Sequence, residues 1–316
     1  MSEPLQCKDI CAIVVTYHPE AEFPRRLRDI SRQVGAAVLV DNGSADHEVT
    51  TLRQSTGNDA VALVLNPENL GVARALNIGL QQAASLGYRW VLLLDQDTRI
   101  ADDLVATLCA IQEKYPDKER LAIIGSNFWE KHRRSAKAHQ FDSCGAQWDE
   151  VAAVITTGSL LSLPAFLAIG PFREDFFIDY VDTEYCLRAR AKGYRVLKTR
   201  RPLMFHSIGR PTQHRLLWMK KWTSNHSADR RYYMARNHTV MIRESGNYPF
   251  GSWALMSFLS CIKSWKRIAL YEQEKGSKLA AVFLGWRDGL RRRMGPRKKP
   301  RDGDSQRSNG RTLGRS

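Results

Sequence analysis

The chain has 316 residues, 43% of them hydrophobic and 26% charged, and a formal net charge of +15. This composition supports a sizeable folded core and excludes a chain that is disordered throughout. No apolar run reaches the roughly 20 residues that span a bilayer, and six scattered cysteines without CxxC pairs argue against a zinc ribbon or a disulfide framework. The first residues lack the basic-then-apolar pattern of a secretory signal, so a cytoplasmic protein is expected.

Residues 10–16, Ile-Cys-Ala-Ile-Val-Val-Thr, are β-branched and predict a first buried strand that Tyr17-His18-Pro19 ends. Apolar residues at Phe23, Leu27, Ile30 and Val34 have helical spacing. Residues 36–40 predict a second strand, followed at once by Asp41-Asn42-Gly43-Ser44, and residues 61–65 a third, ending at Asn66-Pro67. Asn69 to Gly79 leads into a helix that ends near Gly87. Residues 90–97, Trp-Val-Leu-Leu-Leu-Asp-Gln-Asp, then form a continuous apolar run closed by two aspartates, which predicts a central parallel strand buried on both faces. A helix over about 102–115 follows. The alternation predicts an α/β fold with a mostly parallel central sheet and helices on both faces.

Open sheets of this kind place ligands at the carboxyl ends of their strands, so four loops are expected to meet there. Asp95 and Asp97 suit a hard divalent cation and the phosphate or ribose that accompanies it, or else an Asp-rich turn with a helix cap. Thr16 and Tyr17 offer a hydroxyl and a ring to a nucleobase. Asp41 accepts from a base N–H or a ribose hydroxyl, or simply closes a turn. In the Asn69–Arg74 loop, Gly71 permits close backbone approach, and Arg74 faces either phosphate or solvent. No P-loop and no dinucleotide fingerprint is present.

The second half reads differently. A strand over 121–126 precedes a polar stretch, 127–150, expected to be a loop excursion. A further strand is expected within 154–163 and a short helix over 164–170. Asp179, Asp182 and Glu184 enter a helix that Gly193 ends. Each of the two aspartates is a catalytic candidate or a helix cap. Residues 194–199 predict a strand, and His206 follows it as a structural histidine or a ligand.

Taken together, Val40-Asp41-Asn42-Gly43-Ser44, Asn69-x-Gly71-x-Ala73-x-Ala75-x-Asn77-x-Gly79, Leu94-Asp95-Gln96-Asp97, Phe177-Ile-Asp-x-Val-Asp182-x-Glu184 and Tyr232-Tyr233-Met-Ala-Arg236-Asn237 resemble the inverting glycosyltransferases of family 2, and most closely their bacterial rhamnosyltransferase branch. The resemblance covers about residues 10–245 and implies the GT-A nucleotide-diphospho-sugar transferase fold. It implies that Asp95 and Asp97 are the Asp-x-Asp motif, with Asp97 on the metal, that Asp41 contacts the base, and that His206 is a further metal ligand. It makes Asp182 the general base, although the residue before it is Val181 where the family commonly has an acid. The cofactor implied is Mg²⁺ or Mn²⁺. The donor implied is dTDP-L-rhamnose or a related sugar nucleotide such as a UDP-hexose, and the acceptor a glycan or glycolipid. Thr16, Tyr17, Asn69 and Arg74 complete the expected donor site.

Three parts are expected: a catalytic domain over 1–245, an amphipathic helical segment over 246–290 and a disordered basic tail over 291–316. The segment interleaves Phe250, Trp253, Phe258 and Trp265 with Lys263, Lys266 and Arg267, which suits the inner membrane surface or a helix pair packed on the domain. The tail holds ten Lys/Arg and two Asp, a net +8, and suits an anionic membrane. Nucleic acid is not expected as a partner, because that reading leaves the acidic strand-end loops unexplained.

Overall fold

The computed structural model describes residues 4–57, 60–130, 147–206, 212–216, 219–223, 225–244, 246, 263 and 265–297. Four strands form its first half: β1 (Ile10–Thr16), β2 (Ala36–Asp41), β3 (Val61–Leu65) and β4 (Trp90–Asp95). They lie in the order β3-β2-β1-β4 and are all parallel. Side chains alternate across β1. Cys11 and Ile13 join a core with α3 (Val72–Ser85), α5 (Leu163–Ile169) and α6 (Val181–Ala191). Ile10, Ala12 and Val14 face α1 (Phe23–Ser31) and α4 (Leu104–Lys114) on the other side. A strand clad on both faces has no polar positions to spare, which explains the continuous apolar runs. A short α2 (Asp46–Ser55) lies between β2 and β3.

The second half of the sheet is mixed. β8 (Ser159–Ser162) inserts antiparallel between β4 and β6 (Leu121–Glu130), and β9 (Arg195–His206) then runs parallel to β6. β9 is longer than its predicted strand and carries His206 at its end. Two short strands of this sheet went unpredicted, β5 (Arg99–Ile100) and β7 (Trp148–Glu150), and both pair antiparallel with β9. β10 (Thr212–Leu216) and β11 (Met219–Thr223) form a separate hairpin.

Two helices complete the described chain, α7 (Ala228–Arg243) and α8 (Lys275–Leu290), with a shorter helix over 265–271 between them. A buried ion cluster joins them: Glu272 accepts from Arg231 of α7 and, at 3.1 Å, from Lys278 of α8. Phe250, Trp253 and Phe258 fall outside the described residues, as does the tail from 298 onward. Residues 291–297 do not leave the domain. Gly295 N–H donates to the Asp175 carbonyl at 2.8 Å and Arg297 N–H to the Tyr233 hydroxyl at 2.7 Å.

Candidate active site

Register brings the strand ends level. Thr16 lies beside Asp41, and Val15 beside Asp95, so the residues that follow each strand emerge at one edge. Tyr17, Asn69, Asp95 and Asp97 line a cleft of about 650 Å³ there, together with Asp179, Asp182, His206 and Arg230. The Gln96 side chain closes one wall, accepting from Tyr17 N–H at 2.7 Å and donating to the Tyr17 carbonyl at 3.0 Å. Asn69 accepts from the Asn42 amide at 3.0 Å and from Gly71 N–H at 2.9 Å, which fixes the loop before α3. Gly71 is left-handed, and a Cβ there would lie 2.6–2.9 Å from Phe177, so only glycine lets this loop meet the acidic loop opposite.

The pairing of β5 with β9 sets Arg99 beside Phe205, and this draws Asp97 to within 3.9 Å of His206 Nδ1. Asp95, Asp97 and His206 each place a ligand atom within 4.8 Å of the others. His206 Nδ1 is buried and has no hydrogen-bond partner among the described residues, an arrangement that a folded protein rarely leaves unanswered. Burial pushes the His206 pKa down despite the pull of Asp97, so the imidazole is neutral and its nitrogen can serve as a ligand. Burial, reinforced by Asp97, pushes the Asp95 carboxyl up to about 7. Two carboxylates and an unpartnered neutral imidazole fit a divalent cation of the Mg²⁺ or Mn²⁺ type.

The opposite wall is the loop that enters α6. Phe177, Asp179 and Tyr180 have φ of 65°, 63° and 64°, a run of left-handed residues without glycine. Each such residue costs about 1–2 kcal/mol, and α7 offsets that cost. Asn237 Nδ2 donates to the carbonyls of Phe176, Ile178 and Asp179 at 2.8–3.0 Å. Arg236, fully buried, donates to the carbonyls of Asp175 and Phe176 at 3.0 and 2.9 Å. Arg230 grips the Asp179 carboxylate through Nε and Nη2 at 3.0–3.1 Å.

Asp182 then lies in the first turn of α6 and faces the cleft. Its Oδ1 accepts from Thr183 N–H at 2.7 Å. Burial, with Asp179 and Asp95 adding repulsion, pushes its carboxyl up to about 6. Neither Asp179 nor Asp182 caps the helix, whose N-cap is Tyr180. Glu184 turns inward instead, to Arg188 at 2.9 Å.

Three expected donor contacts lie elsewhere. Asp41 is buried beneath the cleft, accepting from the Thr16 hydroxyl at 2.9 Å and from Ser44 N–H and Oγ at 2.9 and 2.6 Å. Its carboxylate serves the turn that the same Asp-Asn-Gly-Ser sequence also signals. Thr16 is buried with it. Arg74 lies on an exposed face of α3, 3.9 Å from Glu174, and does not line the cleft. Sequence reasoning assigned no role to Arg230, Arg236 or Asn237. The available signal was the Tyr232–Asn237 motif, whose polar pair Arg236-Asn237 turns out fully buried on α7.

The Glycosyl transferase family 2 profile matches residues 11–158, which include β1 to β4 and both Asp95 and Asp97. Residues 11–158 are a family 2 glycosyltransferase domain. The glycosyltransferase is 29% identical over 257 residues to the dTDP-rhamnosyl transferase RfbF of Shigella flexneri, across 75% of this chain and 81% of that one. It is 27% identical over 208 residues to an uncharacterized protein of Mycobacterium tuberculosis, across 63% and 74% of the two chains. Among solved structures it is similar to S. aureus TarS 1-349 in complex with UDP-GlcNAc, with a TM-score of 0.58 and 15% identity, over 89% of this chain and 81% of that one. The mannosyltransferase PcManGT of Pyrobaculum calidifontis, in complex with GDP-Man and Mn²⁺, gives a TM-score of 0.57 and 15% identity over 91% and 88% of the chains. These likenesses establish the GT-A fold for the glycosyltransferase, C-terminal helices included.

Proposed function

We propose that this glycosyltransferase moves L-rhamnose from dTDP-L-rhamnose, with inversion, onto a cell-surface polysaccharide or glycolipid acceptor. The observation that carries the reading is the division of the cleft: a trio able to hold a cation on one wall and a carboxylate of raised pKa on the other. The similarity to a dTDP-rhamnosyl transferase supports the choice of donor.

Asp97, His206 and Asp95 would hold Mg²⁺ or Mn²⁺, whose charge offsets that developing on the departing diphosphate. Tyr17 presents a half-exposed ring at the end of β1, beside Asn42, where a base can stack. Asp182, ionised, takes the proton of the acceptor hydroxyl as that oxygen attacks the anomeric carbon. One displacement inverts the centre and requires no covalent enzyme intermediate. Arg230 holds Asp179, and so the loop before Asp182, in place. The acceptor side of the reading places the protein at the inner face of the cytoplasmic membrane as a peripheral protein. Among the described residues no helix is long and apolar enough to cross a membrane.

Thermal unfolding in the presence of Mn²⁺ with dTDP-L-rhamnose, UDP-hexoses and GDP-mannose tests the donor. At about a hundredfold excess over Kd, the preferred donor should raise Tm by on the order of 5 °C. Stabilisation by dTDP-L-rhamnose above the others is expected. Stabilisation by a UDP-sugar alone would move the reading to that donor.

A further inference from the structure

Helix α8 packs in an unusual sense. The part of its buried face nearest α7 is small: Ala281, Gly285 and Gly289, with Lys278 and Val282 buried beside them. A Cβ on Gly285 would sit 2.3 Å from the Tyr232 carbonyl oxygen, and one on Gly289 2.7 Å from that of Arg236. The two helix backbones are therefore in near contact, and no large side chain fits between them. Val282 is buried and Leu284 packs beside Tyr232 and Tyr233, but the other larger apolar residues of α8 lie on its outside. Leu279, Phe283, Trp286 and Leu290 are 39%, 64%, 42% and 54% exposed. At 100° per residue their spacing forms one stripe along the helix. Leu270, 62% exposed, belongs to the preceding helix, whose Trp265 ring meets Trp286 at 5.7 Å.

A helix of a soluble protein ordinarily turns such a stripe inward. Here tight packing on α7 and the Arg231–Glu272–Lys278 cluster fix the opposite orientation. The charge around the stripe is one-sided. Lys266, Arg267, Lys275, Arg291 and Arg293 are exposed, against one exposed acid, Glu274 at the N-cap; Glu272 is buried and Asp288 is engaged by Tyr232 and Arg287. Aromatic and leucine side chains flanked by Lys and Arg match a headgroup boundary with an acidic surface. They do not match a water-facing surface or an acid-poor protein partner.

We infer that the outer face of α8 is a docking face for an anionic lipid surface. It rests on the α7–α8 contact, and for its purpose on the reading of a membrane-borne acceptor. The same α7 that carries α8 on one side clamps the Asp175–Tyr180 loop on the other, so docking holds the acceptor wall of the cleft at a set distance from the bilayer.

The test is co-sedimentation of the full chain with phosphatidylcholine vesicles, with and without phosphatidylglycerol, at low salt. Three proteins are compared: wild type, the Phe283→Ser/Trp286→Ser double variant, and a chain truncated after Arg297. Wild type should bind the anionic vesicles, and the double variant should lose about tenfold or more in partitioning, as expected when two large apolar side chains no longer enter the interface. The truncated chain should bind more tightly than the double variant. Sugar-nucleotide stabilisation with Mn²⁺ should be unchanged in all three, which separates failure of the docking face from failure of the glycosyl-transfer reading and shows that the variants fold. Equal vesicle binding by wild type and the double variant would overturn the inference. So would a wild type that ignores vesicles but self-associates through this face, seen as a dimer in light scattering that the double variant abolishes.

Discussion

Asp182→Asn is expected to lower turnover by about 10²–10⁴ while leaving donor and metal affinity near wild type. The amide is nearly isosteric and can still accept from Thr183 N–H, so the first turn of α6 should persist. It removes only the basic oxygen. Burial holds the Asp182 carboxyl up at about 6, well above an ordinary aspartate. The base must be ionised, so wild-type turnover should fall about tenfold per pH unit below about pH 6, and Asp182→Asn should lose that acid limb. The same burial gives a better proton acceptor at neutral pH than an exposed aspartate would be. Asp179→Asn should act differently, because Asp179 is held by Arg230. It should weaken the loop and lower stability, with a smaller loss of turnover. Turnover and donor affinity measured together on both variants decide between them. A fully active Asp182→Asn beside a dead Asp179→Asn would move the base by three residues.

Asn237→Leu should be the most destabilising single change in the site. The side chain is fully buried, and its amide is the donor for the Ile178 and Asp179 carbonyls in the left-handed stretch. An unsatisfied buried acceptor costs about 1–3 kcal/mol. Arg236 still serves the Phe176 carbonyl, so two acceptors are orphaned, and a loss of about 3 kcal/mol is expected. For a domain of this size that is a drop in Tm on the order of 5 °C. Turnover should fall with it, since the three left-handed residues that aim α6 into the cleft lose the partner that holds them. Circular-dichroism melting and kcat on the same preparation check this. An unchanged Tm would mean that the loop holds its shape without α7.

The strand cores were legible because β1, β2 and β4 are covered on both faces and leave continuous apolar runs, and because parallel register then places their ends together. Asp95 and Asp97 were legible for the same reason. What joins them to His206 was not. That contact depends on β5, two residues long, pairing with the far end of β9 across more than a hundred positions of sequence, and nothing local encodes it. Asp41 illustrates a different limit. Its four-residue signature serves a tight turn and a base contact equally well, and only the Thr16 and Ser44 hydrogen bonds show that the carboxylate is engaged by the turn. Arg230, Arg236 and Asn237 escaped because their partners are mostly backbone carbonyls and a carboxylate some 50–60 residues away. The C-terminal region was expected to be amphipathic over 246–290, and among its described residues the exposed apolar stripe lies on α8, because glycines occupy the face that packs. Composition alone predicted disorder from Arg291 onward. Gly295 and Arg297 nevertheless find partners on the catalytic domain, which composition does not register.

The most direct test of the account is calorimetric titration of dTDP with and without Mn²⁺ on wild type, Asp97→Ala and His206→Ala. The site predicts that Mn²⁺ tightens dTDP binding to wild type by about tenfold or more. It predicts that the gain disappears in Asp97→Ala, which removes a charged ligand, and shrinks in His206→Ala. A wild type that binds dTDP equally with and without Mn²⁺, or an Asp97→Ala variant that keeps the full gain, would contradict it.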